Sequence, residues 1–200
     1  LAIEVESSSE AWIISLANGL PDALFDTDGQ LTKSEVRAVT LSGLAPRRGE
    51  LLWDVGAGSG SIAIEWMLAD TSMRAIAIEA DKVRAARVTA NANACGVPGL
   101  KLIEGIAPEA LTSLETPDAI FIGGGGSDPG VIPACIKGLK SGGRLVANAV
   151  TLEMEALLPD HHARLGGELI RIAVSRAQPV GSMQGWRAAM PVTQWRWKKP

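Results

Sequence analysis

Asp54, Gly56, Gly58 and Gly60 are spaced acid-x-Gly-x-Gly-x-Gly, and Glu79 closes a later apolar run, Arg74-Ala-Ile-Ala-Ile. Alternate glycines allow a tight turn and let a ligand reach bare backbone. A carboxylate roughly 20 residues beyond such a turn, at a strand end, can accept both hydroxyls of a ribose. Together these residues predict a site for a nucleoside-bearing cofactor. The dinucleotide pattern G-x-G-x-x-G would need a glycine at position 61, and that residue is Ser61. A nicotinamide cofactor is therefore disfavoured.

The elements that must hold these residues are legible around them. Leu51 to Val55 is an apolar run closed by glycines and reads as a buried strand, with Ser61 to Leu68 as the helix after it. Glu4 to Gly19 reads as a helix capped by Ser7-Ser-Ser9, with Trp12, Ile13 and Leu16 on one face, followed by a polar loop over 21–30. Thr32-Lys-Ser-Glu35 reads as a capping box for a helix to Leu44, with Val36, Val39 and Leu41 inward. Further strands are expected at 74–79, 100–104, 118–122, 144–148, 168–175 and 190–197. Helices are expected at 81–94, 133–139 and 151–165, the last capped by Thr151. Residues 176–189 read as a loop. The sum is an α/β fold: a Rossmann-like, seven-stranded, mostly parallel sheet with one antiparallel strand and helices on both faces.

Bulk properties exclude several classes. The 200 residues are 46% apolar with a net charge of −3, and the mean hydropathy is +0.16. That composition suits a globular domain and gives no reason to expect a nucleic-acid partner. No run is long and apolar enough to cross a membrane. Cys95 and Cys135 lack ligand spacing, which fits a reducing, cytoplasmic compartment. His161-His162 has no third ligand nearby in sequence, so no metal is expected. Trp195 and Trp197 share one strand face, as a buried strand requires.

The acid and glycine pattern resembles motif I of the S-adenosylmethionine (SAM) methyltransferases. Further segments resemble one branch, the decarboxylating precorrin methyltransferases of cobalamin synthesis: Leu31-Thr-Lys-Ser-Glu-Val-Arg37, Glu104-Gly-Ile-Ala-Pro-Glu-Ala-Leu111, Ile120-Phe-Ile-Gly-Gly-Gly-Gly126 and the run Leu139 to Glu153. The resemblance implies SAM as cofactor, with S-adenosylhomocysteine (SAH) as product. Contacts to it are expected from Thr32, Asp54, Gly56, Ala57, Gly58, Ser59, Gly60, Glu79 and Ala107. Relatives often carry an acid at the position of Ile106, which suits the adenine amino group. The implied reaction is methylation of carbon 15 of a precorrin macrocycle, with loss of carbon dioxide from the acetate on carbon 12. The resemblance also implies a tetrapyrrole substrate and a homo-oligomer, such as a tetramer. The stretch 21–30 resembles the junction in fused members, where a second methyltransferase precedes this domain. Residues 1–30 are then a linker and 31–200 the methyltransferase domain, and a first residue other than methionine agrees.

Substrate-side candidates lie after the fourth and fifth strands and in the last loop. Asn148, Thr151 and Glu153 are candidate catalytic residues, and Gly124, Gly125, Ser127, Arg176 and Trp186 candidate substrate contacts. A carboxylate-rich substrate also predicts a basic rim, from Lys33, Arg47, Arg171 and Arg187. The rival readings are a methyltransferase acting on RNA, protein or another small molecule, and a non-catalytic module with the same fold. Gly123 to Gly126 stand where amino-methylating enzymes carry a polar-Pro-Pro-aromatic motif, which weighs against the first. A scaffold would not need both the glycine loop and Glu79, which weighs against the second.

Overall fold

The computed structural model describes residues 3, 4, 6 and 13–200. Among these described residues nine strands and five α-helices follow one another in the order α1 (Ser34–Leu44), β1 (Leu51–Val55), α2 (Ser61–Leu68), β2 (Arg74–Glu79), α3 (Lys82–Ala94), β3 (Lys101–Glu104), β4 (Ala119–Ile122), α4 (Val131–Gly138), β5 (Arg144–Ala149), α5 (Leu152–Leu165), β6 (Glu168–Ile172), β7 (Ser175–Val180), β8 (Met183–Ala188) and β9 (Val192–Lys198). Seven strands form one sheet in the order β3-β2-β1-β4-β5-β9-β6. Only β9 runs against its neighbours, pairing antiparallel with both β5 and β6. This is the expected seven-stranded sheet.

Strand alternation divides the core in two. Leu51, Trp53, Val55, Ile120, Ile122 and Leu145 face α4 and α5. Leu52, Phe121 and Val146 face α1 and α2, where Leu41, Leu44, Ile62 and Trp66 are fully buried. Trp195 and Trp197 stack at 6.0 Å, and their indole N–H groups donate to the Gly166 and Leu165 carbonyls at the end of α5. His161 lies against Trp195, 5.6 Å between ring centres. Among the described residues no three His, Cys, Asp or Glu side chains converge as a metal set, and no helix is long and apolar enough to cross a membrane.

The structure corrects three expectations. The expected first helix is absent from 13–19, where Ile13 and Leu16 are almost fully exposed; Ser7–Ser9 and Trp12 lie outside the described residues. The capping box does not form. The N-cap of α1 is Lys33, one residue later than expected, and its side chain makes no cap. Instead Asp22 Oδ1 accepts the Ser34 amide at 3.0 Å, from twelve residues upstream. Arg37 takes the Thr32 carbonyl, so tertiary partners displace the local pattern. Finally, 175–188 is a hairpin and not a loop: β7 and β8 pair only with each other, across a two-residue Gly181-Ser182 turn with Gly181 at φ +61°. Glycine opening such a turn matches the right-handed twist of the strands. Its side chains are mostly exposed and mix polar with apolar types, so no buried apolar face marks it.

Candidate functional site

At the carboxyl ends of β1, β2, β4 and β5 lies a cavity of about 690 Å³. It occupies the crevice where strand order reverses between β1 and β4, the usual ligand position in an open α/β sheet. Its three motif glycines do different work. Gly56, at φ +69°, passes so close to Gly124 that a Cβ would lie 2.5 Å from the Gly124 carbonyl oxygen. Gly60 caps α2, and a Cβ there would strike Val88 of α3 at 2.9 Å. Gly58 faces the cavity.

The loop is held by internal partners. The amides of Gly56 and Ala57 donate to the Ile78 carbonyl at 3.0 and 3.1 Å, and the Gly58 amide donates to Glu79 Oε2 at 2.8 Å. Glu79 Oε1 accepts the Asp81 amide at 3.0 Å. Asp54 is buried behind the loop. Its Oδ2 accepts the Ala63 amide in the first turn of α2 at 3.1 Å, while Oδ1 has no partner. Burial pushes the Asp54 carboxyl up to about 7, the Ala63 bond opposing and the Glu79 charge adding to the shift. A carboxylate thus already sits at the start of α2, where a dinucleotide fold seats a pyrophosphate. With Glu79 beside it, this end of the cavity favours a cationic or neutral ligand over an anionic one.

A strap from 19 to 33 walls the half of the cavity that holds the glycine loop, the half expected to take the cofactor. Buried Arg37 pairs with buried Glu65 and also donates to the carbonyls of Leu20 and Thr32. Glu65 in turn accepts the amides of Gly19 and Leu20 at 2.7 and 2.9 Å. Farther along, buried Asn91 ties the strap to the glycine loop: its Oδ1 accepts the Asp26 amide, and its Nδ2 donates to the carbonyls of Asp26 and Ser59, all at 2.9 Å. Leu20 and Phe25 are buried beneath.

The opposite half is assembled from distant pieces: the start of α1, the segment after β5, and the chain around β6, β7 and β9. Asn148 is fixed there by two partners. Its Nδ2 donates to Thr40 Oγ1 at 3.0 Å, and its Oδ1 accepts Gln194 Nε2 at 2.7 Å. Arg196 Nε donates to Gln194 Oε1 at 2.7 Å, which forces the Gln194 amide to donate to Asn148 and so sets the Asn148 orientation. At the mouth, Arg176 of β7 pairs with Glu35 of α1.

Of the expected cofactor residues, Thr32, Gly56, Ala57, Gly58, Ser59, Glu79 and Ala107 line the cavity, whereas Asp54 and Gly60 stand behind the loop. Ile106 lines it as well, 64% exposed. Asn148, Thr151, Gly124, Gly125 and Arg176 line the other half. Glu153 is outside it, on the exposed side of the α5 first turn, because Met154 takes the inward position. Ser127 is exposed beyond the cavity, and Trp186 projects from the hairpin at 79% exposure. Of the expected basic rim only Lys33 lines the site. Glu35, Arg84, Asp128 and Met190 line it without having been anticipated. Asp128 follows the glycine run closely enough to be a candidate from sequence, whereas Glu35 reads as part of a cap.

The family model for the precorrin methyltransferase domain matches residues 23–199. A precorrin-6Y C(5,15)-methyltransferase [decarboxylating] from Sinorhizobium sp is 66% identical over 198 residues, which are 99% of this chain and 48% of the relative. The chain therefore spans about half the length of that relative. A cobalt-precorrin-6B C(15)-methyltransferase (decarboxylating) from Pyrobaculum calidifontis is 37% identical over 181 residues, 87% of this chain and 92% of its own. The crystal structure of the C-terminal domain of precorrin-6Y C5,15-methyltransferase from Rhodobacter capsulatus superposes with a TM-score of 0.87 at 48% identity, covering 93% of this chain and all of that one.

Proposed function

The chain belongs to the precorrin methyltransferase domain family, and from that premise we propose that it methylates carbon 15 of a precorrin macrocycle with SAM and removes carbon dioxide from the acetate on carbon 12. The observation that carries this reading is the match to the Sinorhizobium relative, whose 198 matched residues take in both halves of the cavity. The electronegative loop end supports SAM over a dinucleotide, because SAM brings a sulfonium and an ammonium and no phosphate.

Thr32, the Gly56–Gly60 loop, Glu79 and Ala107 would hold the cofactor, with Asp54 acting from behind the loop. The Glu79 carboxylate keeps lone pairs beyond its two amide bonds, which suits ribose hydroxyls. When bound, SAM supplies an electrophilic methyl group. The chain's own task is then alignment: an enamine-like ring carbon is already nucleophilic, so holding it in line in a dry cleft is the main requirement. Asn148 and Thr151 would orient the macrocycle, Asn148 as a fixed amide and not as an acid or base. Gly124 and Gly125 leave room for a bulky ring. Decarboxylation then draws its electron sink from the protonated ring system of the substrate.

We extend the proposal to the surroundings of the domain. The half-length match supports a second methyltransferase domain before residue 1, with the early residues as linker and the strap as its landing on this domain. The exposed β7–β8 hairpin, carrying Val180, Met183 and Trp186, supports a homo-oligomer. The cytoplasm is the fitting compartment for two unpaired, buried cysteines. The test is accurate mass of the tetrapyrrole after incubation with SAM and the reduced precorrin-6 substrate. A product heavier by one methyl and lighter by carbon dioxide is expected. An unchanged macrocycle beside intact SAM binding would overturn the acceptor assignment, and absent SAM binding would overturn the whole reading.

A further inference from the structure

The β7–β8 hairpin at the edge of the substrate half carries two arginines, of which Arg176 lines the cavity and Arg187 lies just outside it. Arg176 lies directly across the hairpin from Arg187, and residues paired in this way project from the same face. Like charges directly opposite destabilise a hairpin. Among the described residues Arg187 has no carboxylate partner, only a long contact from Nη1 to Gln178 Oε1 at 3.5 Å. Lys33 adds a third cation on the cavity wall, and its carboxylate partner Asp22, at 3.5 Å, is shared with buried Arg37. The one acid answering the arginines is Glu35.

The Glu35 contact is itself incomplete. Only Nη2 of Arg176 meets only Oε2 of Glu35, so the guanidinium fork is half used. Both side chains are also substantially exposed, 40% and 47%, and exposed pairs of this kind add little to stability. Glu35 is ionised at neutral pH: its own backbone amide holds the carboxyl below the ordinary value, burial opposes this, and the Arg176 charge reinforces it. A two-pronged carboxylate would bind the fork better than this single contact does.

We propose that Arg176, with Arg187 beside it and Lys33 on the same mouth, forms a carboxylate-binding subsite in which Glu35 is the resident occupant, and that an acetate or propionate arm of the substrate enters by exchanging with Glu35. The chemical class rests on the tetrapyrrole reading above; the exchange itself rests on the half-used fork. Glu35 thereby becomes a specificity-determining residue. An uncharged or monoanionic acceptor would leave the Glu35–Arg176 pair closed, whereas a polycarboxylate would open it. Because Glu35 lies in the first turn of α1 and Arg176 lies on β7, the exchange also frees the hairpin from its ion pair to the helix.

The test is fluorescence titration of uroporphyrin, which bears acetate and propionate arms, against the 200-residue chain saturated with SAH. Its fully esterified form serves as the neutral control. Removing the resident carboxylate with Glu35→Gln should tighten uroporphyrin binding about 3- to 10-fold, and Arg176→Ala should weaken it about 5- to 30-fold. Neither change should move the affinity for the ester or for SAH, which guards against misfolded variants, and Glu35→Asp should restore part of the competition. Uroporphyrin binding no tighter in Glu35→Gln than in the parent chain would overturn the exchange, as would equal shifts for acid and ester. Precorrin turnover by the parent chain separates the two readings. Turnover with unmoved uroporphyrin affinities sinks the subsite alone. Shifted affinities without turnover keep the subsite and sink the assigned reaction.

Discussion

The two halves of the cavity are built on opposite principles. The half around the glycine loop is closed upon itself: loop amides, Glu79, Asn91 and the Arg37–Glu65 pair satisfy one another inside the protein, and only Oδ1 of Asp54 is left without a partner among the buried side-chain atoms of the described residues. The substrate half is a meeting of surfaces, with an exposed hairpin joined to α1 by one exposed ion pair. The first kind of wall fixes a shape before any ligand arrives, as positioning a small, invariant cofactor demands. The second can yield to a large acceptor. Variants on the two sides should therefore differ in kind, with stability lost on one side and affinity or nothing lost on the other.

The strongest way to test that contrast is Glu65→Ala, which strips buried Arg37 of its close, buried partner and leaves it only the more distant, partly exposed Asp22 at 3.3 Å. Unfolding free energy should fall by about 3–5 kcal/mol, read by urea denaturation, with SAH affinity falling as the strap loosens. A loss below about 1 kcal/mol would break the comparison, because the strap would then be as loosely held as the hairpin.

Next in size is a pH dependence from Asp54. Its native carboxyl titrates near 7 and its unfolded one near 3.8, so between those values the unfolded chain releases a proton that the native chain keeps. The Asp54 contribution to stability should then fall as pH rises from about 4 to about 7, by up to about 4 kcal/mol. Asp54→Asn should flatten that slope and leave the chain more stable at pH 8, checked by urea midpoints at pH 5 and 8. An unchanged slope in the variant would place the charge elsewhere.

Gly56→Ala should cost about 2–3 kcal/mol, because alanine is strained at positive φ and its methyl group would displace Gly124. SAH binding measured by calorimetry should weaken together with the melting temperature. At the other extreme, Trp186→Ala on the hairpin should change monomer stability by less than about 0.5 kcal/mol despite the loss of a large side chain. A large loss in thermal unfolding that disappears on dilution would show that a second copy covers the hairpin.

The same division governs what could be read in the sequence. Asp54, the glycines and Glu79 were visible because a short stretch of chain with fixed spacing builds that wall. Even so, spacing did not separate residues that face the cavity, such as Gly58, from Gly60, which serves helix packing. The substrate wall was less legible. Asn148 was suspected as a strand-end polar residue, but its anchors Thr40 and Gln194 lie 108 and 46 residues away. Glu35 was absorbed by a capping pattern that Asp22 and Arg37 override, and no local rule reports a competitor that far upstream. The hairpin escaped notice because exposure on both faces removes the apolar alternation by which strands are recognised. Its Gly181-Ser182 turn was the usable signal.

The place of β9 has a consequence for how the chain comes into being. It follows β6 in sequence yet lies between β5 and β6, so β6 has no sheet neighbour until residues 192–198 have been made. On a ribosome, β1 to β5 can assemble while the hairpin is still emerging, but the far edge must wait for its last strand. A nascent chain halted at residue 190 would hold a folded glycine-loop pocket beside an open sheet edge, a template for wrong pairing. Arrival of Trp195 and Trp197 closes that window, and their passage from water to the core gives synthesis a fluorescent endpoint.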